Sequence, residues 1–226
     1  MCYTRFMLNK RCYTDGCAAA HALDLVGERW ALLVVRELML GPKRFTDLRA
    51  SLTGISPNVL TQRLEELEKA SIVQRRKLPP PANAWVYELT AWGLELEPAI
   101  MALGRWAARS PHLPQGRPLS TDALILSFRT MFDPAAAAGL KTKLKVRLGE
   151  ECFHADIAGG RMTLERGASS QADAVIETDP GTLGALVYGG HKLADALRSG
   201  AVKLEGDKSA VKHFLTLFPL PKTASA

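Results

Sequence analysis

The sequence predicts an α+β fold in two parts. The N-terminal part is mostly helical and interrupted by one β-hairpin; the C-terminal part is an α/β sandwich of antiparallel sheet and helices. Three observations predict it. Up to residue 112, apolar residues recur at helical spacing, except around residues 71–89. "SPHLPQGRPLS", residues 110–120, then brings three prolines, a glycine and no long apolar run, the composition of a linker. Beyond it, period-two alternation dominates. "LKTKLKVRL", residues 140–148, sets Leu140, Thr142, Leu144, Val146 and Leu148 on one face and Lys or Arg on the other. The expected divisions are a first domain at 1–112, a linker at 113–119, a second domain at 120–220 and a tail at 221–226.

Each element follows from local signals. "AAAHALDLVGERWALLVVRELMLG" puts Leu23, Val26, Trp30, Leu33 and Val34 near helical spacing, which predicts one helix stopped by Gly41-Pro42. "RFTDLRASL" predicts a short second helix carrying Phe45, Leu48 and Leu52, and "TGIS" a tight turn. Ser56 is a good N-cap, with Pro57 at the first helical position, where its missing N–H is no loss. Leu60, Leu64 and Leu67 then bury one face of the helix. "SIVQRRKL" and "AWVYELT" read as strands about the stiff tip "PPPAN". Thr90 is expected to cap a last helix running through Leu94, Ile100, Leu103 and Trp106.

In the second part, "CFHADIA" and "RMTLER" are strands joined by Gly159-Gly160, a tight-hairpin pair, and "ADAVIET" is another strand. Asp179-Pro180 starts a helix with Leu183, Leu186 and Val187; "KLADALRSG" is a short helix closed by Gly200. "AVKLEG" returns as a strand, and Asp207 caps a last helix carrying Val211, Phe214, Leu215 and Phe218.

Composition narrows the function. A chain of 226 residues with 47% hydrophobic and 23% charged residues forms a core. Its net charge of +6 suits a polyanionic partner, and the basic excess leans to the first part, +4 up to residue 112 against +2 beyond. No window approaches a membrane span, and the N-terminus lacks a signal-peptide apolar run, so a soluble, cytoplasmic protein is expected. Neither G-x-S-x-G, a phosphate loop, H-E-x-x-H nor a dinucleotide fingerprint occurs, so neither catalysis nor a cofactor is expected. Four cysteines are too few for a disulfide framework in a chain this long. Cys2, Cys12, Cys17 and His21 are separated by nine, four and three residues, which is not the paired spacing of structural zinc, so no metal is expected.

Helix, helix, tight turn, helix, hairpin, helix is the layout of a winged helix-turn-helix, whose second turn helix enters the major groove of double-stranded DNA. The helix capped by Ser56 and Pro57 carries Asn58, Thr61, Gln62 and Arg63 before its first acid, Glu65. Amide, hydroxyl and guanidinium groups pair with base edges, and a helix N-terminus favours phosphate. Glu65, Glu66 and Glu68 are expected to be carried away from the duplex. Lys43, Arg44, Arg75, Arg76 and Lys77 are the expected phosphate contacts.

"HALDLVGERWALLVVRELMLGPKRFTDLR", "GISPNVLTQRLEELEKASIVQRR" and "VYELTAWGLELEPAI" resemble the HxlR family of bacterial winged-helix regulators over about residues 12 to 108. The resemblance implies a homodimer on a palindromic operator, with dimer contacts from the first and last helices of the domain. It places the recognition helix at residues 57–69 and the wing at 72–89. Some family members sense oxidants through an N-terminal cysteine, here Cys17, beside which Cys12 is an added thiol.

Residues 120 to 220, through "RTMFDPAAAAGLKTKLKVRLGEE", "ETDPGTLGALVYGG" and "LEGDKSAVKHFLTLFPLP", resemble the sterol-carrier-protein-like domain. That resemblance implies a pocket for an apolar small molecule. Phe128, Met131, Phe132, Tyr188, His191, Phe214 and Phe218 are its candidate lining, with Tyr188 and His191 as polar tips at the cavity edge. The leading expectation is a DNA-binding transcriptional regulator, a repressor, with a ligand-sensing second domain. The alternative is a hydrophobic-ligand carrier whose winged helix serves only dimerisation or protein contact.

Overall fold

The structure, a computed structural model, describes residues 12–114, 116–167 and 171–225. Cys2, weighed above as a metal donor, lies outside them. The chain divides into two units between Ile100 and Met101.

In the first unit the expected leading helix is two: α1 (Ala18–Val26) and α2 (Ala31–Leu38). Gly27 ends α1, its N–H donating to the Leu23 carbonyl at 2.8 Å. A Cβ there would stand 2.4 Å from that oxygen, and Trp30 follows at φ 78, so helical spacing survives on both sides of a bend. Leu23 and Leu33, expected on one buried face, are 52% and 39% exposed.

α3 (Phe45–Ser51) and α4 (Pro57–Lys69) form the helix-turn-helix, and the Ser56 hydroxyl accepts from the Val59 N–H at 3.3 Å. β1 (Val73–Lys77) and β2 (Trp85–Leu89) pair antiparallel, with Arg75 opposite Tyr87. Lys43 extends this hairpin through two backbone hydrogen bonds with Tyr87, at 2.9 and 2.8 Å.

Thr90 caps α5 (Ala91–Leu94), accepting from Gly93 N–H at 3.0 Å, and a separate helix, α6 (Glu97–Ala107), follows. Pro98 has no N–H to give the Leu94 carbonyl, which explains why the expected single helix restarts. A Cβ on Gly93 would lie 2.1 Å from the Ile72 carbonyl oxygen, so α5 sits directly on the base of the hairpin. Val34, Val35, Leu38, Leu48, Leu60, Leu64, Leu67 and Ile72, all at most 2% exposed, fill the core.

The second unit holds α7 (Thr121–Met131), β3 (Thr142–Leu148), β4 (Glu151–Ala158), β5 (Arg161–Arg166), β6 (Ala174–Thr178), α8 (Pro180–Tyr188), α9 (Leu193–Arg198), β7 (Lys203–Gly206) and α10 (Lys208–Phe214). The strand order is β5-β4-β3-β6-β7. β3 and β6 run parallel and every other pair antiparallel, so the sheet is mixed rather than antiparallel. Alternation determines which face a strand buries and is silent on the direction of its neighbour. Leu144, Val146, Phe153, Ile157 and Ile176 form the buried face, against which α7 and α10 pack. Gly159 and Gly160, at φ 58 and 70, make the β4–β5 turn that only such a pair takes without strain. No described helix is long and apolar enough to cross a membrane.

Candidate nucleic-acid interface

α4 exposes Pro57, Asn58, Thr61, Gln62 and Glu65 and buries Leu60, Arg63, Leu64 and Leu67. Asn58, Thr61, Gln62 and Glu65 stand at i, i+3, i+4 and i+7, which is one helix face. Ser56 and Pro57 form its exposed tip. The Gln62 amide also donates to Glu66 Oε1 at 3.1 Å, one turn on, which holds it against the helix.

Arg63 is a correction. Its side chain is 8% exposed, ion-paired with Glu66 and lies 3.8 Å from Glu28. Three residues after Leu60 and four before Leu67, it belongs to the inward face, and its charge is met inside the unit rather than offered to a duplex.

Lys43 is a second correction. Its ammonium lies 2.9 Å from Oε2 of Glu37, whose side chain is fully buried and also pairs with Arg36 at 2.7 Å. Its backbone is meanwhile paired with Tyr87. Lys43 therefore ties the turn to the hairpin instead of contacting phosphate. Arg44 next to it is exposed, its backbone N–H donating to Asp47 Oδ2 at 3.2 Å as α3 begins.

The three wing cations differ among themselves because a strand alternates faces. Arg76 is held by Glu88 through two bonds, Nε to Oε1 at 2.8 Å and Nη2 to Oε2 at 2.7 Å, and Gln74 also donates to Glu88 at 2.9 Å. The pair drives Glu88 below the usual carboxylate range through the Arg76 hydrogen bond and lifts Arg76 through the same bond. Arg75 and Lys77 project to the other face. Arg75 lies 4.5 Å from the centroid of Trp85, which is 51% exposed, and 6.0 Å from that of Tyr87. Such stacking orients a guanidinium while leaving its donors free for phosphate. Trp85 and Tyr87 were not singled out from sequence; their period-two register against Arg75 and Lys77 was the signal available.

Cys17, at the N-cap of α1, is an exposed free thiol, and its backbone N–H donates to Asp15 Oδ1 at 2.9 Å. Among the described residues, no group of three or more His, Cys, Asp and Glu side chains gathers as metal donors do.

In the second unit, the ligand candidates are mostly core. Phe128 stacks on Phe218 at 4.5 Å and meets Phe214 edge-on at 6.0 Å, while Phe214 and Phe218 cross at 5.0 Å. Phe128, Phe214 and Phe218 are at most 2% exposed, and Met131 is 6% exposed. Phe132, half-buried, lies 6.4 Å from Phe218. Burial and ring-to-ring packing place Phe128, Phe214 and Phe218 in the core of the unit.

Tyr188 and His191 are not brought to one cavity edge either. The Tyr188 hydroxyl hydrogen-bonds Ser127 Oγ at 2.9 Å, and burial pushes the phenol up to about 12, against a lesser opposing effect of that bond. His191 is exposed and borders an open cleft of about 700 Å³ between α8 and α9, with Thr182, Ala185, Leu186, Lys192 and Ala196.

Residues 25–113 match the family model described as HxlR-like helix-turn-helix, and residues 116–224 one described as alkyl sulfatase C-terminal, a different description from the sterol-carrier likeness drawn from sequence. The HTH-type transcriptional regulator YodB of Bacillus subtilis is 38% identical over 86 residues, 38% of this chain and 77% of that protein. The uncharacterised HTH-type transcriptional regulator sll1512 of Synechocystis sp. is 37% identical over 94 residues, 41% of this chain and 70% of that protein. A structure of the reduced form of YodB from B. subtilis, 34% identical, covers 44% of this chain and 98% of that one at a TM-score of 0.39.

Proposed function

Since residues 25–113 make this chain a member of the HxlR-like helix-turn-helix family, we propose that it is a DNA-binding transcriptional regulator acting as a homodimer on a palindromic operator. The observation that carries the reading is the outward polar stripe of the capped α4 beside a wing whose Arg75 and Lys77 face away from the Arg76–Glu88 pair. In this arrangement α4 lies in the major groove. Asn58, Thr61 and Gln62 reach base edges there, and Arg44, Arg75 and Lys77 hold phosphates. Arg63 and Lys43 keep α4 and the wing in place from behind.

Self-association has its own support. α6 buries none of its eleven residues and leaves Leu103 49% and Trp106 74% exposed, while α1 exposes Leu23. Apolar side chains of this size in water favour a partner surface. The same faces suit the carrier reading, in which the winged helix only dimerises. The two readings separate on duplex DNA, which a carrier does not retain.

The second unit, in this proposal, senses an apolar small molecule, with repression by promoter occupancy as the output. The cleft between α8 and α9 supports it, with Ala185, Leu186 and Ala196 as apolar wall and Thr182 and His191 at the rim. A ligand there alters operator affinity only by binding one state of the dimer more tightly than another.

Selection of genomic fragments on the purified protein, followed by footprinting, tests the function. The expected result is two inverted half-sites about 10 base pairs apart, centre to centre, or a multiple of that spacing. A single asymmetric half-site bound by a monomer contradicts the dimer. Retention of no fragment contradicts the regulator.

A further inference from the structure

The acid that α4 carries on its outward face is the feature the reading above leaves unused. Glu65 follows Asn58 by seven residues and Thr61 and Gln62 by four and three, and all four side chains are exposed. The neighbouring acids differ. Glu66 is half-buried and engaged by Arg63 and Gln62, and Glu68 is half-buried. Glu65 makes no hydrogen bond or ion pair among the described residues. It also stands near the wing. Burial is the main reason the Tyr87 phenol lies above its ordinary value; Arg75 pulls it down, and Glu68 and Glu65 push it up. The carboxylate thus shares the outward face of α4 and lies within electrostatic reach of Tyr87 on the wing, where a fixed negative charge weakens the hold on a polyanion.

Helix geometry puts Glu65 about 10 Å along the axis from Asn58, at 1.5 Å per residue. Sequence position alone places Glu65 with the acids carried away from the duplex, but it shares the exposed face of Asn58, Thr61 and Gln62, so a helix lying along the groove brings it to a base pair beyond theirs. A carboxylate only accepts hydrogen bonds. In the major groove the bases offer two donors, the cytosine N4 amine and the adenine N6 amine, while guanine N7 and O6 and thymine O4 are acceptors that repel it. Adenine's amine lies beside its own acceptor N7, whereas cytosine presents its donor alone.

We infer that Glu65 is a specificity-determining residue of α4, accepting from the N4 amine of cytosine at one operator position and rejecting guanine and thymine there. The inference rests on the DNA-binding reading and adds to it a base preference with a chemical cause. Attraction to the duplex comes from Arg44, Arg75 and Lys77, and Glu65 uses part of it to discriminate. A wrong base leaves the carboxylate facing acceptors and phosphates with no donor, which lowers affinity by about ten- to a hundred-fold.

The test is selection from a library of randomised duplexes, followed by sequencing of the retained pool, for the full-length wild type, Glu65→Gln and Glu65→Ala. Glu65 is exposed, so both variants should fold. The expected result is a wild-type motif with cytosine strongly enriched at one position of each half-site. That preference should flatten in Glu65→Ala and move toward adenine in Glu65→Gln, whose amide pairs with adenine N6 and N7. The remaining positions should be unchanged, and both variants should bind random duplex more tightly. A wild-type motif that reappears intact in both variants overturns this inference and leaves the regulator standing. A wild type that enriches no sequence overturns both.

Discussion

The outward face of α4 and the aromatic cluster of the second unit were both read as places where side chains meet a foreign molecule, and they turn out opposite. On α4, Asn58, Thr61 and Gln62 stand in solvent with the Leu60–Leu64–Leu67 row behind them. In the second unit, Phe128, Phe214 and Phe218 meet one another. Polar groups displayed on a capped helix add little to the protein's own stability, whereas buried aromatic rings contribute core energy whether or not a ligand exists. Residue type therefore carries more functional information at the surface than in the interior.

The strongest way to break this contrast is Phe128→Ala. As a core residue touching Phe214, Phe218 and Tyr188, it should cost about 3–5 kcal/mol in urea-induced unfolding of the second unit. Unchanged stability with altered uptake of an apolar probe would make it pocket lining after all. Arg63→Ala should cost about 2 kcal/mol, less than the 3–5 typical of breaking a fully buried pair, since Glu66 keeps partial access to water. A variant of normal stability but weakened DNA binding would return Arg63 to the interface.

Tyr188 sharpens the interior side. Its phenol is raised from 10.0 to about 12, so the native state keeps a proton that the unfolded chain releases. Stability from this group is complete below pH 10 and is lost as pH rises from 10 toward 12. Tyr188→Phe should show a shallower loss across that window in parallel thermal melts, and equal slopes would contradict the assignment. Smallest in energy is Arg75→Ala on the wing. It should weaken binding to all duplexes by severalfold and reduce the salt slope by about one, leaving the thermal midpoint unchanged.

Much of this was legible in the sequence. Ser56-Pro57 announced the start of α4, Gly159-Gly160 the β4–β5 turn, and Asp207 the cap of α10, because caps and turns are written in one or two residues. The bends at Gly27 and before Pro98 were visible as residue types, but apolar spacing continues through both and hid them. Arg63 could have been placed by the same spacing that placed Leu60 and Leu67; its charge suggested the surface, and Glu28, 35 residues earlier, supplied a partner no local pattern reveals. Lys43 depended on Glu37 and on Tyr87 in the same way. Strand direction in the second sheet depended on neighbours, which alternation does not name.

The most direct test of the central claim is the affinity of the full-length protein for a selected duplex as a function of salt. The account requires log affinity to fall steeply and linearly with log salt, with the slope reduced by about two in Arg75→Ala combined with Lys77→Ala. A slope near zero, or one the double variant leaves unaltered, would contradict it.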